Sequence, residues 1–255
     1  MRSRLIKITL SLVLFSFLTL LCWFYFLHYQ EIRKKDPRYQ VVAIALKSLG
    51  PSTLPSSFFA EVLELSTDQP TPLFDFSTDW AEQQLLLTPY LTQVRVERIK
   101  PSVIFIEYQA REAVARVGNY SLAAIDRDGV LFPYLPYTNY SHLPEVYFDL
   151  VNEPEWGGVL AKKDLQLFLN IEQRLQNLGV QIERLDLSRL EVPTLGRREI
   201  LLTVQDAASN YTLRLPPQEL DSALERYGLL KEHLTESDET IDLRLTDLAY
   251  IMEKS

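Results

Sequence analysis

The chain has 255 residues, of which 47% are hydrophobic and 24% are charged, so it can form a folded core and lacks the composition of a disordered protein. Its net charge is −8, and Arg2, Arg4 and Lys7 contribute +3, which leaves −11 on the rest of the chain. A strongly acidic domain repels phosphate backbones, so this balance argues against nucleic-acid binding.

The first predicted element is an apolar run from Ile8 to Tyr29 that contains no formally charged residue. A helix of this length can cross a hydrocarbon core of about 30 Å. The run is longer than the hydrophobic region of a signal peptide, and no small-residue cleavage site follows it. We therefore predict an uncleaved transmembrane helix at 8–29, between a tail at 1–7 and a charged linker at 30–39. Positive charges are nearly balanced across this span, and a long following domain weakens their influence on its own translocation, so the charges leave a cytoplasmic N terminus open.

A small domain is predicted next, over residues 40–108, with the element order β-α-α-β-β. Short β-branched runs indicate the strands, and proline and glycine mark the ends of the elements. The predicted elements are a strand at 41–46, a helix at 56–66, a second helix that begins after Ser77 or Thr78 as N-cap and stops at Pro89, and strands at 91–99 and 103–108.

Residues 109–255 are predicted to form a mixed α/β domain with a mainly antiparallel sheet, so the fold class is α+β. Helical spacing of leucines and isoleucines indicates two amphipathic helices, and Gly179 suits the position just after the first of them. The predicted elements are a hairpin at 113–117 and 122–125, a turn at 126–129, strands at 130–132, 146–148, 181–187, 199–205, 211–215 and 241–252, and helices at 161–178 and 220–233.

The residues that commonly carry catalysis are sparse. Cys22 is the single cysteine and lies inside the apolar run, so the rest of the chain has no thiol nucleophile, disulfide or cysteine-based zinc cluster. His28, His142 and His233 have no spacing that places them on one face. No phosphate-binding glycine loop and no G-x-S-x-G sequence is present. We predict no catalytic residues, no cofactor and no metal site.

An alternative function arises from Asp126 and Asp128, whose D-x-D spacing is typical of membrane-anchored glycosyltransferases that hold a divalent cation against a sugar nucleotide. Gly129 follows at once and lies between two predicted strands, which favours a tight turn instead. No nucleotide-binding βαβ pattern precedes the pair. The turn is therefore the preferred interpretation.

The closing segment alternates in polarity, with Ile241, Leu243 and Leu245 on one face and Asp242 and Arg244 on the other. A strand at the end of a chain readily becomes a sheet edge, where unpaired N–H and C=O groups can bind an extended segment of another protein. A purely structural last strand fits the pattern equally well, and a strand enclosed between two others of its own sheet would rule out this binding. The candidate partner-binding residues are Ile241, Asp242, Leu243, Arg244, Leu245, Thr246, Ala249, Tyr250 and Ile251.

The order of these parts resembles the bacterial cell-division family FtsQ/DivIB, in which a short tail, one span, a POTRA domain and a β domain follow one another. Ala113, Leu245 and Leu248 depart from residues that are common in that family. The segments that carry the resemblance are Val41–Leu46, Leu73–Phe76 before Trp80, Pro89–Val96, Ile104–Tyr108 and Arg111–Ala115 after Pro101, Ile125–Phe132, and Ile241–Arg244.

The resemblance implies a non-enzymatic divisome scaffold that links early and late division proteins and helps control septal peptidoglycan synthesis. It implies a single-pass protein of the inner membrane at the septum, with a cytoplasmic N terminus and a periplasmic ectodomain. The partners it implies are FtsB/DivIC-like and FtsL-like bitopic division proteins at the C-terminal strand, and other division proteins at the POTRA domain and the span. A POTRA-bearing transport factor is the other alternative, although such proteins normally carry several POTRA units or a long β-barrel.

Overall fold

The structure is a computed structural model. Contacts between residues divide the chain into two compact units, Met1–Ala110 and Arg111–Ser255. The described residues are 2–66, 68–133, 140–149, 155–194, 197–206, 209–234 and 239–252, and for 2–13, 34 and 35 the description covers the backbone alone.

The first unit begins with the 34-residue helix α1, Arg2–Lys35, which contains the predicted transmembrane segment at 8–29. The side chains of residues 8–13 lie outside the described part of the chain. Among the described residues, no helix combines the length and the apolar character required to cross a membrane. The structure therefore does not confirm the span, which stays a prediction from the sequence.

The rest of the first unit has the predicted β-α-α-β-β order. Its three strands form a sheet in the order β1-β3-β2, with β1 parallel and β2 antiparallel to the central strand. The first strand begins two residues later than predicted, and the first helix of the pair ends earlier. The elements are β1 (Ala43–Ser48), α2 (Ser56–Val62), α3 (Thr78–Leu87), β2 (Leu91–Ile99) and β3 (Val103–Ala110).

Local sequence explains how these elements end and which face they bury. The Ser77 side chain accepts a hydrogen bond from the Trp80 N–H at the start of α3, as predicted for an N-cap. Ile104 and Ile106 alternate with more exposed residues along β3 and are fully buried. The Tyr108 hydroxyl accepts a hydrogen bond of 2.8 Å from the Leu54 N–H, which satisfies its buried polar atom.

The second unit is mostly one sheet. Within the described residues this sheet has nine strands in the order β12-β11-β10-β9-β8-β7-β4-β5-β6. Five of the neighbouring pairs are antiparallel and three are parallel, so the sheet is mainly antiparallel. The elements are β4 (Ala115–Val117), β5 (Ala123–Ile125), β6 (Leu131–Pro133), β7 (Glu145–Tyr147), α4 (Lys162–Asn177), β8 (Gln181–Asp186), β9 (Ile200–Asp206), β10 (Ser209–Leu215), α5 (Leu220–Leu230), β11 (Thr240–Asp242) and β12 (Tyr250–Met252).

The core of this unit lies where one face of the sheet meets α4 and α5. Alternate residues of β9 and β10 belong to the buried cluster, and so do the apolar stripes of the two helices. Gly179 has φ +71° directly after the α4 C-cap, a conformation that costs glycine little. Ile241 and Leu243 also belong to this core and are fully buried.

The prediction of one continuous strand at 241–252 is wrong. The segment forms two short strands, β11 and β12, which pair antiparallel across the intervening residues 243–249. Hydrogen bonds from other elements interrupt the segment between the two strands. The Leu243 N–H donates to the Arg214 carbonyl at 2.9 Å, and the Arg226 side chain of α5 donates to the carbonyls of Leu243 and Thr246. These long-range hydrogen bonds turn the chain back, and a local alternation of polarity cannot reveal them.

Candidate functional site

Strand β11 is an internal strand. It pairs in parallel with β10 on one side and antiparallel with β12 on the other. The Thr212 N–H donates to the Glu239 carbonyl at 3.0 Å, and the Leu243 N–H donates to the Arg214 carbonyl at 2.9 Å. In a parallel ladder with these two bonds, the intervening Ile241 directs both its N–H and its C=O towards β10. Thr240 and Asp242 consequently direct theirs towards β12.

Strand β12 forms the edge of the sheet. Its register places Met252 opposite Thr240 and Tyr250 opposite Asp242. Since these pairs exchange hydrogen bonds, the N–H and C=O of Ile251 point away from β11. No described strand pairs with that side of β12. Ile251 therefore presents one donor and one acceptor to an incoming extended chain.

The opposite edge of the sheet, β6, is covered. Leu131 donates its N–H to the Gly158 carbonyl at 2.9 Å, and its own carbonyl accepts the Gly157 N–H at 2.8 Å. The Leu160 N–H donates to the Gly129 carbonyl at 2.9 Å, which extends the cover. Covering an edge with a loop is a common way to prevent unwanted strand pairing. Within the described residues, β12 is thus the edge of this sheet that stays open.

Large apolar side chains are exposed on and beside β12. Exposed hydrophobic residues that cluster on a surface commonly mark a site of interaction with another protein. The exposed apolar residues at this edge are Leu245 (57% exposed), Leu248 (59%), Tyr250 (64%), Ile251 (49%) and Met252 (40%).

A cavity of about 530 Å³ lies beside the open edge. Its wall combines apolar surface with guanidinium groups, so it can accept a side chain that is partly apolar and partly negative. Residues of its wall include Leu190, Arg198, Pro216, Arg244, Leu245 and Tyr250.

An ion-pair network supports this cavity. Glu199, which is 4% exposed, accepts hydrogen bonds from Arg189 at 2.7 Å and from Arg214 at 2.6 Å and 2.9 Å. Asp242 accepts hydrogen bonds from Arg244 at 2.6 Å and 2.9 Å and lies 3.4 Å from Arg214. Three guanidinium groups therefore share two carboxylates, and a local positive charge remains in an otherwise acidic unit.

The pKa values of both carboxylates are shifted by this network. Burial by itself would raise the pKa of Glu199, but hydrogen bonds from Arg214 and Arg189 outweigh burial and lower it below its ordinary value. Burial likewise opposes ionisation of Asp242, and the hydrogen bonds from Arg244 prevail and lower the pKa of that carboxyl. Both groups are therefore charged at neutral pH and hold the arginines in place.

The predicted partner-binding residues fall into two groups. Leu245, Tyr250 and Ile251 are exposed at the open edge. The others make contacts within the domain. Ile241 and Leu243 lie in the core, Ala249 packs against it, Asp242 and Arg244 belong to the ion-pair network, and the Thr246 carbonyl binds Arg226.

Other residues of the site were not predicted. Met252 and Leu248 are exposed at the edge, and Arg198 and Pro216 line the cavity. Alternation within 240–245 gives no signal for any of them. The cavity residues come from distant parts of the chain and meet only in the folded sheet.

The Asp126–Gly129 segment is a tight turn, as preferred above. The Asp126 carboxylate accepts hydrogen bonds from the N–H groups of Asp128 at 3.0 Å and Val130 at 2.8 Å, and pairs with Arg111 at 2.5 Å. Gly129 adopts φ +80°, which suits this turn. The side chain that the glycosyltransferase alternative requires as a metal ligand is therefore engaged in the turn. Among the described residues, no group of three or more metal-binding side chains comes together.

No family model and no curated protein matches the sequence. Solved structures that match include POTRA1-2 of the periplasmic domain of Omp85 from Anabaena. That chain is 14% identical over 58% of this chain and 87% of its own length, with a TM-score of 0.25. A likeness at this level is too weak to show a shared fold.

Proposed function

We propose that this chain is a non-enzymatic divisome scaffold whose C-terminal edge strand binds an extended segment of a bitopic division protein. The observation that carries the proposal is the open edge of β12, where the N–H and C=O of Ile251 face outwards. Exposed apolar side chains flank this edge, and a cavity of about 530 Å³ lies beside it.

Strand addition suits these features. A partner strand that pairs with β12 gains main-chain hydrogen bonds, which supply affinity without dictating sequence. Its side chains on one face would reach the cavity beside Tyr250 and Arg244, and this contact would supply specificity. The docking strand of this proposal is 250–252, because β11 already has a neighbour on each side.

The remaining parts of the proposal rest on the resemblance to FtsQ/DivIB. Residues 8–29 anchor the chain in the inner membrane with the N terminus in the cytoplasm and the ectodomain in the periplasm. Residues 40–108 form a POTRA domain that, together with the span, contacts other division proteins. Partners at β12 are FtsB/DivIC-like and FtsL-like proteins, and these contacts help control septal peptidoglycan synthesis at the division site.

The test compares two substitutions at one position. Ile251→Pro removes the outward donor and leaves the pairs at Tyr250 and Met252 in place, since their N–H groups bond to β11. Ile251→Ala keeps the donor and removes most of the side chain. A photo-crosslinking residue at Tyr250 reports capture in living cells, and the captured protein is identified. The same residue at Val159, exposed beside the covered edge, is the matched control.

We expect the parent chain and Ile251→Ala to capture a bitopic division protein at position 250, and Ile251→Pro to capture about tenfold less, since the partner loses one main-chain hydrogen bond. Undiminished capture by a folded Ile251→Pro chain would refute strand addition at this edge. Capture of a transport component instead would support the transport-factor alternative.

A further inference from the structure

Residues 243–249 connect β11 to β12 and contain no helix or strand. The Arg226 guanidinium, from the middle of α5, binds two carbonyls of this connection. One terminal nitrogen donates to the Leu243 carbonyl at 2.8 Å, and the other donates to the Thr246 carbonyl. One side chain thus binds both ends of the first turn of the connection.

Strand β12 makes few other contacts with the rest of the second unit. Its pairing with β11 comprises three residue pairs. Its side chains contribute little burial, because Tyr250, Ile251 and Met252 are 64%, 49% and 40% exposed. A two-stranded contact of this length is marginal without support from elsewhere. The position of β12 therefore depends on the connection, which Arg226 helps to hold together with buried Leu243 and the Arg244 ion pairs.

The geometry requires arginine. A guanidinium is a planar fork that can donate to two separate carbonyls, whereas the single ammonium of lysine is compact and flexible.

We propose that Arg226 is a positioning residue for partner binding: it clamps the turn after β11 and thereby holds β12 as a formed edge before the partner arrives. This inference rests on the function proposed above. A partner that must first order β12 binds more weakly, in proportion to the fraction of molecules in which the edge is formed. The clamp thus raises affinity without touching the partner.

Arg226→Lys in the full-length chain, solubilised in a mild detergent, tests the clamp. Arg174→Lys is the matched control, because the Arg174 guanidinium pairs with Asp221 of α5 at 2.8 Å and donates to Asn170 at 3.2 Å, away from the 243–249 connection. Hydrogen exchange of the amides in 240–252 is measured beside those of β9 and β10. In living cells, capture from the crosslinking residue at Tyr250 is measured for the same variants.

For Arg226→Lys we expect the amides of β12 that bond to β11 to exchange at close to the unprotected rate, and those of β9 and β10 to keep their protection. Capture should then fall about tenfold, because it follows the fraction of molecules in which β12 is formed. Arg174→Lys should change none of these quantities. Unchanged exchange in β12 would overturn the clamp. Faster exchange with undiminished capture would overturn its role in partner binding and leave the proposed function intact. Failure of the parent chain to capture any partner would refute the proposed function, and with it the role of the clamp, whatever the exchange shows.

Discussion

Leu243 and Leu245 are two residues apart, and their alternation with polar neighbours predicts that they share one face of a strand. The structure separates them. Leu243 is fully buried in the core of the second unit, and Leu245 is 57% exposed beside the cavity. Substitution by alanine should therefore destabilise the second unit at Leu243 and leave its stability nearly unchanged at Leu245.

The cost at Leu243 follows from the carbon groups that are removed. Three such groups at about 0.8 kcal/mol each give about 2.5 kcal/mol of lost transfer free energy. The cavity left in a packed core adds to this, so we expect Leu243→Ala to reduce the free energy of unfolding by about 3 kcal/mol. Leu245→Ala removes exposed atoms and should change it by no more than about 0.5 kcal/mol.

Hydrogen exchange suits this comparison, because the two units of the chain can unfold separately and a single denaturation curve would mix them. Slow amides of the core strands β9 and β10 report the second unit alone. For Leu243→Ala they should exchange about 100-fold faster, and for Leu245→Ala at nearly the parent rate. A loss below about 1 kcal/mol for Leu243→Ala, or above it for Leu245→Ala, would refute the assignment of this segment.

Three further substitutions test other contacts. Glu199→Gln should destabilise the second unit at neutral pH by about 2 kcal/mol, measured by exchange of the slow amides of β9 and β10, because it weakens the bonds to Arg214. The pKa of Glu199 is lowered by folding, so the parent chain begins to lose this contribution as pH falls through about 4.5, and the difference between the two proteins should vanish only below the lowered pKa. Tyr227→Phe should be neutral or stabilising by up to about 1 kcal/mol in the same assay, because the buried hydroxyl has no hydrogen-bond partner among the described residues; a clear loss of stability would contradict this. Gly118→Ala should cost about 1 kcal/mol, since its Cβ would lie only 2.4 Å from the Tyr147 ring, and an unchanged exchange rate of the same amides would show that the ring moves freely.

Much of the secondary structure could be predicted because its signals are local. The apolar spacing of α4 and the glycine after it predicted that helix to within a residue or two, and Ser77 or Thr78 as N-cap predicted the start of α3. Alternation along β3 predicted that Ile104 and Ile106 face the core. These signals depend on the period of a helix or a strand and on capping chemistry within a few residues.

The C-terminal segment shows where such signals stop. The polarity alternates from Ile241 to Leu245, but this pattern correctly indicates only that Ile241 and Leu243 face the core. Whether a strand is an edge depends on how many neighbours it acquires. For β11 that number is two, because the chain turns and β12 pairs back on it.

By itself, the sequence determined the division into an apolar N-terminal segment and two folded regions, the type of most elements, and the acidic character of the chain. Only the tertiary structure decided that β12 is the open edge, that Ile251 presents the outward backbone groups, and that Arg226 holds the turn before it. The physical reason is range. Periodicity and capping act within a few residues, whereas edges, cavities and ion-pair networks are made by residues that meet only when distant segments pack together.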